Sequence, residues 1–139
     1  MYEFVDRPVT SLDNGSRFLV WSMRNWVAAC AERQCPGSRI AEGFARWGML
    51  RGLHPFLRIM ALLNRHGLTN LEFCKLGCNH IAEGEAIILG VIASGLRCER
   101  SLPGTLECLV EEGWVGDLVC SISELAQAMR SSPKLSISQ

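Results

Sequence analysis

Apolar residues recur every three or four positions along most of this chain, which is the spacing of one face of an α-helix. Runs with this period lie at about residues 17–33, 38–51, 55–66, 69–77, 101–113 and 115–130. Alternation of apolar and polar residues over the length of a strand is absent, except at the two ends of the chain. The sequence therefore predicts an all-α fold, an irregular single-domain bundle of six or seven helices.

The stretch 80–98 differs from these amphipathic runs, because almost every side chain from Ala86 to Leu96 is apolar. A helix that is apolar all round has to lie inside the protein. The run is shorter than the ~20 apolar residues that span a bilayer. We predict that residues 80–98 form the central helix of the bundle, that Asn79 caps it, and that the protein does not bind a membrane.

The two ends of this domain, residues 1–139, lack the helical pattern of its central part. Pro8 disfavours helix at the residue before it, so residues 1–10 are predicted to form an extended arm. Tyr2, Phe4 and Val5 could lie against the body. The tail, residues 131–139, has little to bury and is predicted to be mobile.

Net charge is zero, so no overall field favours nucleic acid. Residues 1–66 nevertheless carry nine arginines against five acids, and residues 67–139 carry five bases against nine acids. Residues 67–77 resemble the first helix and turn of a helix-turn-helix. The helix that would follow begins with Glu83 and Glu85 and then becomes apolar, whereas a recognition helix presents basic and amide side chains. We therefore predict no nucleic-acid partner.

Seven cysteines are present, an odd number, and the N-terminus shows no basic region followed by an apolar one. Such a composition is typical of free thiols in a reducing compartment. A cytoplasmic location is therefore predicted.

Cys74, Cys78 and His80 form the clearest cluster of reactive residue types. Thiolate and imidazole are zinc ligands, although a structural zinc site needs four of them. A neighbouring histidine or a helix N-terminus can also lower the pKa of a thiol and make it reactive. The alternatives are a zinc site, a thiol-redox site, or two small buried residues at a helix junction. We expect no cofactor.

Glu85 falls among apolar positions on a helical wheel, so its carboxylate could enter the core. A buried carboxylate either finds a cationic or hydrogen-bonding partner or has its pKa raised. Both a structural ion pair and exposure near the start of the helix are open at this stage.

Trp21 stands on the polar side of the first helix, together with Arg17 and Arg24. Tryptophan and arginine are over-represented at interface hot spots. The sequence contains no glycine-rich phosphate loop, GxSxG or HExxH motif, and no assembled catalytic residues. We therefore favour an interaction or regulatory module over an enzyme. Its partner would be an unknown protein or a second copy in a homodimer, unless the N-terminal arm covers Trp21.

Overall fold

Most of the apolar runs are helical in the computed structural model of the protein, which describes Phe4 and residues 7–132. The described part contains six α-helices: α1 (Asn14–Ala31), α2 (Pro36–Arg46), α3 (Leu50–His66), α4 (Glu83–Leu96), α5 (Leu102–Glu107) and α6 (Val115–Ser131). Two single 3-10 turns lie at Val9–Ser11 and Glu112–Trp114. The prediction of an all-α, single-domain bundle is confirmed.

Five of the helices form a closed ring. Helix α1 packs against α2, α2 against α3, α3 against α6, α6 against α4, and α4 against α1. The most extensive contact joins α3 to α6, while α5 packs against α4 and α6. Most of the largest fully buried side chains lie in this ring, among them Met23, Ile40, Phe44, Phe56, Ile92 and Ile122. The core is thus supplied by residues from nearly the whole chain.

Helix α4 is buried on most of its surface, as its composition predicts. Its ring neighbours cover one part, and the non-helical residues 67–82, here called the connecting segment, cover another. A methyl group at Gly84 would collide with the main chain of Glu72, so the connecting segment lies directly on the helix. At the other end, a methyl group at Gly95 would collide with Ile122 of α6. These two glycines permit the close approach.

The prediction of a short helix at residues 69–77 is wrong. Thr69 and Glu72 match the capping-box pattern, yet the structure places no helix between His66 and Glu83. The main-chain N–H of Cys74 is instead bonded to the side chain of Glu85, eleven residues away. A side-chain acceptor from elsewhere in the fold has replaced the bond that a helix would have made.

Several helix boundaries also differ from the prediction, and α5 ends at Glu107 although the run that predicts it continues to residue 113. The break after the second helix comes at Gly48, whose φ of +69° suits glycine, and Gly52 lies inside α3. Helix α4 begins at Glu83 with Ala82 at its N-cap, rather than being capped by Asn79. Asn79 is used differently, because its Oδ1 accepts the main-chain N–H of Thr10 at 3.3 Å.

The two ends of the chain are described in part. Arg7 to Val9 run antiparallel to Asn79 to Ile81, with Val9 N donating to Asn79 O at 2.8 Å. Tyr2 and Val5 lie outside the described residues, as does most of the predicted tail, 133–139. Ser132 is buried, and its hydroxyl donates to the main-chain O of Trp47 at 2.7 Å.

Candidate functional site

A buried ion pair joins Arg24 of α1 to Glu85 of α4. Arg24 is 5% exposed and Glu85 is fully buried. Arg24 Nε donates to Glu85 Oε2 at 2.7 Å, and Arg24 Nη2 donates to Oε1 at 3.0 Å. The guanidinium and the carboxylate therefore meet edge to edge, in the paired geometry that makes arginine–carboxylate contacts strong and directional.

Arg24 also holds the connecting segment. Its Nη1 donates to the main-chain O of Cys78 at 2.6 Å, and its Nη2 donates to that of His80 at 2.7 Å. The hydrogen bond to Glu85 raises the pKa of Arg24, although burial acts in the opposite direction. The guanidinium thus stays charged while it binds α4 and the connecting segment at once.

Glu85 completes the same network from the other side. Its carboxylate accepts the main-chain N–H of Ala82 at 2.9 Å and that of Cys74 at 3.2 Å. The bond to Ala82 satisfies one free donor at the start of α4, as the acid does in a capping box. Across the described residues, every buried side-chain nitrogen and oxygen has a partner. Buried charges are tolerated under that condition.

The burial of Arg24 corrects the prediction that it shares an exposed face with Arg17 and Trp21. Arg17 and Arg24 are seven positions apart, which is about 20° short of two full helical turns, so the two side chains can differ in burial. The connecting segment covers α1 at Arg24 and leaves Arg17 exposed. Glu85, for which the sequence left burial and exposure open, is paired inside the protein.

A groove of about 580 Å³ opens beside the ion pair, between α1, α2 and the connecting segment. Its apolar side is aromatic: the Phe18 ring centroid lies 6.1 Å from that of Trp21 and 6.2 Å from that of Trp47. Trp21 packs so closely on α2 that a methyl group at Gly43 would overlap its ring. The indole is nevertheless 39% exposed, so a large apolar surface remains open to solvent at this place.

The groove is positively charged. Three arginines and no acidic residue are found among the described residues that line it. Glu85 balances Arg24, Arg17 is exposed, and Arg46 forms an exposed ion pair with Glu42 at 3.4 Å. Exposed ion pairs of this kind contribute little to the stability of the fold. The groove therefore favours an anionic group next to an apolar one.

Cys74 and Cys78 are brought together, but the three-residue metal site predicted as an alternative is not formed. The two thiols lie close enough that each shifts the pKa of the other. His80 is exposed, and it joins the network through its main-chain carbonyl. Within the described ranges, no three His, Cys, Asp or Glu side chains are placed to share a metal ion. Of the predicted cluster, the structure therefore brings together the two cysteines and leaves the His80 side chain exposed.

Sequence reasoning identified Arg17 and Trp21 and missed the residues that complete the groove: Gly43, Arg46, Trp47 and Leu76. Trp47 reads as part of the apolar line of its helix. Leu76 lies in the stretch predicted as a helix, where its 47% exposure could not be foreseen. The tryptophan on a polar helix face was the signal in the sequence for this groove.

The fold and site define an all-α protein with an open, basic, aromatic groove beside a buried ion pair. Comparison of the chain with protein-family models, curated proteins and solved structures finds no match. In the part of the chain that the structure describes, no helix is both long and apolar enough to cross a membrane. Arguments about function therefore rest on the site itself.

Proposed function

We propose that this protein is an interaction module that binds a segment of another protein in the groove beside Trp21. The observation that carries the proposal is a half-exposed tryptophan in a groove lined by arginines and free of acids among the described residues. Tryptophan and arginine supply much of the binding energy at protein interfaces. The bound segment would present an apolar side chain flanked by acidic ones.

The apolar part of the groove supports a macromolecular partner. Trp21 and Leu76 are 39% and 47% exposed and belong to the same groove. Large apolar side chains that are exposed together commonly mark an interaction surface. The volume, about 580 Å³, suits one or two large anchoring side chains.

A second copy of this chain fits the groove less well. Apart from the two groove residues, the large apolar side chains exposed in the described part are Leu50 and Leu68. Leu50 is followed by Arg51, and Leu68 has no acidic residue within three positions. Neither provides an apolar anchor flanked by acids, so another protein is the better occupant.

The location proposed for this module is the cytoplasm. All seven cysteines are free thiols in the structure, two of them adjacent to each other. Thiols persist where glutathione and thioredoxin keep them reduced. A reducing compartment is the setting in which the groove and its neighbouring thiols would keep this form.

The charge preference of the groove can be measured with an array of ten-residue peptides. Each peptide carries one Leu, Phe or Trp anchor, flanked by between zero and four acidic or basic residues. We expect affinity to rise with the number of acids and to fall with added salt, because the arginines attract anionic groups. Binding is followed by the indole N–H resonances of the isotopically labelled protein.

Substitutions locate the binding surface. Trp21→Ala should weaken the best acidic peptide by at least about tenfold, as expected for a hot-spot tryptophan. Gly43→Ala should also weaken it, because the new methyl group displaces the indole. Leu50→Ala is the matched control, since Leu50 is 58% exposed and lies outside the groove. Equal binding of acidic and basic peptides would contradict the proposal, and so would a Trp21-dependent dimer in sedimentation.

A further inference from the structure

The connecting segment folds back on itself between Cys74 and Cys78. Cys78 N donates to Lys75 O at 3.1 Å, which closes a turn over residues 75–78. The third residue of the turn is Gly77, with a φ of +86°, a conformation that other residues rarely adopt. This turn brings Cys74 and Cys78 near each other, so that each thiol shifts the pKa of the other.

The ion pair fixes both sides of the turn. Glu85 accepts the main-chain N–H of Cys74, and Arg24 donates to the main-chain O of Cys78. The spacing of the thiols is therefore set by two buried side chains outside the turn. Two cysteines whose main chain is fixed on either side of one tight turn meet the first requirement for closing a disulfide without a large movement of the backbone.

The two thiols have different surroundings. Hydrogen bonding with the main chain of His80 and with the Cys74 thiol lowers the pKa of Cys78, and Arg24 acts in the same direction. Burial, followed by the hydrogen bond to Cys78, raises the pKa of Cys74. Because the thiolate is the attacking species, Cys78 is the nucleophile of the pair and Cys74 is the thiol that follows. Cys78 also lines the open groove, so a reagent can reach it.

We propose that Cys74 and Cys78 form a redox-active dithiol that closes reversibly to an intramolecular disulfide by exchange with a small disulfide such as oxidised glutathione. The redox reaction does not require a partner bound in the groove, although Cys78 also lines the groove. It concerns the connecting segment and its two thiols.

The exchange has two steps. The Cys78 thiolate attacks one sulfur of glutathione disulfide, the S–S bond breaks, and one glutathione leaves as a thiolate that takes a proton from water. Cys74 then loses its proton and attacks Cys78 Sγ, which displaces the second glutathione. Two protein thiols are oxidised to one disulfide, and one glutathione disulfide is reduced to two glutathione molecules.

The sequence allows the product to be identified directly. Trypsin cuts after Arg65, Lys75 and Arg97, so Cys74 and Cys78 fall on separate peptides, 66–75 and 76–97, each with one cysteine. The protein is equilibrated with a series of reduced and oxidised glutathione ratios, quenched with N-ethylmaleimide and digested. An intramolecular disulfide appears as the two peptides joined, two hydrogens lighter than their sum.

We expect the joined peptides at ratios where the other five cysteines are still alkylated. At short times and pH 7, iodoacetamide should modify Cys78 faster than Cys74. Cys74→Ser should accumulate a mixed disulfide between Cys78 and glutathione, whereas Cys78→Ser should leave Cys74 largely unmodified. Cys120→Ser, which removes an exposed cysteine elsewhere, is the control and should not change the yield of joined peptides.

A third variant tests whether the turn that positions the two cysteines is needed for the disulfide to form. Gly77→Val keeps both thiols but disfavours the positive φ of the turn, and it should lower the equilibrium yield of the disulfide about tenfold. Circular dichroism establishes that each variant is folded. Peptides 66–75 and 76–97 that stay separate at every glutathione ratio would overturn the proposal, and so would earlier oxidation of another cysteine pair.

Discussion

Glu85→Gln is expected to lower the free energy of unfolding by about 3–5 kcal/mol, a large part of the total for a small domain. The substitution keeps the shape of the side chain and removes its charge. Arg24 then remains buried with no carboxylate opposite its guanidinium. Urea unfolding followed by circular dichroism measures the loss, with the slope of the transition compared between variants.

The surface pair Arg58–Asp117 supplies the control. Its two side chains are 47% and 46% exposed and lie 3.3 Å apart. Asp117→Asn should change stability by no more than about 1 kcal/mol, because exposed ion pairs are weak. A Glu85→Gln loss as small as that of Asp117→Asn would show that the buried pair does not hold the fold together.

The double variant Arg24→Met, Glu85→Leu tests whether the ion pair stabilises the connecting segment as well as the contact between α1 and α4. Replacing a buried ion pair by apolar residues is often neutral, because two desolvated charges disappear together. Here four main-chain groups, at Cys74, Cys78, His80 and Ala82, would also lose their partners. We therefore expect only partial recovery, with faster hydrogen exchange at the Cys74 and Ala82 amides.

The part of the fold that sequence predicts is the part set by local period. Helices α3 and α6 follow from apolar spacing, because each buries the face that its pattern marks, and α4 follows from its nearly continuous apolar composition. The pattern fails where the backbone finds distant partners. Residues 69–77 carry a helix-start signal, yet Glu85 and Arg24 bond to the segment that contains them from other helices.

The candidate site, like the fold, could be predicted only in part. Trp21 and the Cys74–Cys78 spacing are visible as exceptions to the surrounding pattern. Arg24 is not, because an arginine at a polar helix position gives no indication that a loop will cover it. Gly77 looks like the end of a helix in sequence, whereas its role in the structure is to turn the chain between two thiols.

The second large effect is expected at Ile88 of α4. Ile88→Asp should abolish folding near neutral pH, since Ile88 is 2% exposed and its surroundings are aliphatic. A void that Ile88 lines together with eight other aliphatic side chains holds about 10 Å³, too little for a water molecule with polar partners. Burying an unpaired carboxylate costs several kcal/mol, which is comparable with the whole stability of the domain.

Two controls separate charge from volume and position. Ile88→Val removes one methylene group and should cost about 0.5–1.5 kcal/mol. Leu50→Asp introduces the same carboxylate at a 58% exposed position in the first turn of α3, where the helix dipole favours an acid, so it should be tolerated. Thermal unfolding of the three variants measures the contrast, and an Ile88→Asp protein with the melting temperature of Leu50→Asp would show that α4 is not buried.

The pH dependence of Ile88→Asp gives an independent check of burial. A carboxyl in an apolar site has its pKa raised, so the folded state holds the proton more tightly than the unfolded chain, in which an aspartate titrates near ~3.9. The variant is therefore least destabilised, relative to the unsubstituted protein, below that value, and the penalty grows as the pH rises. Melting temperatures of the pair, measured upward from about pH 4, should diverge with increasing pH until Ile88→Asp no longer shows an unfolding transition near neutral pH, whereas those of Leu50→Asp and the unsubstituted protein should run parallel.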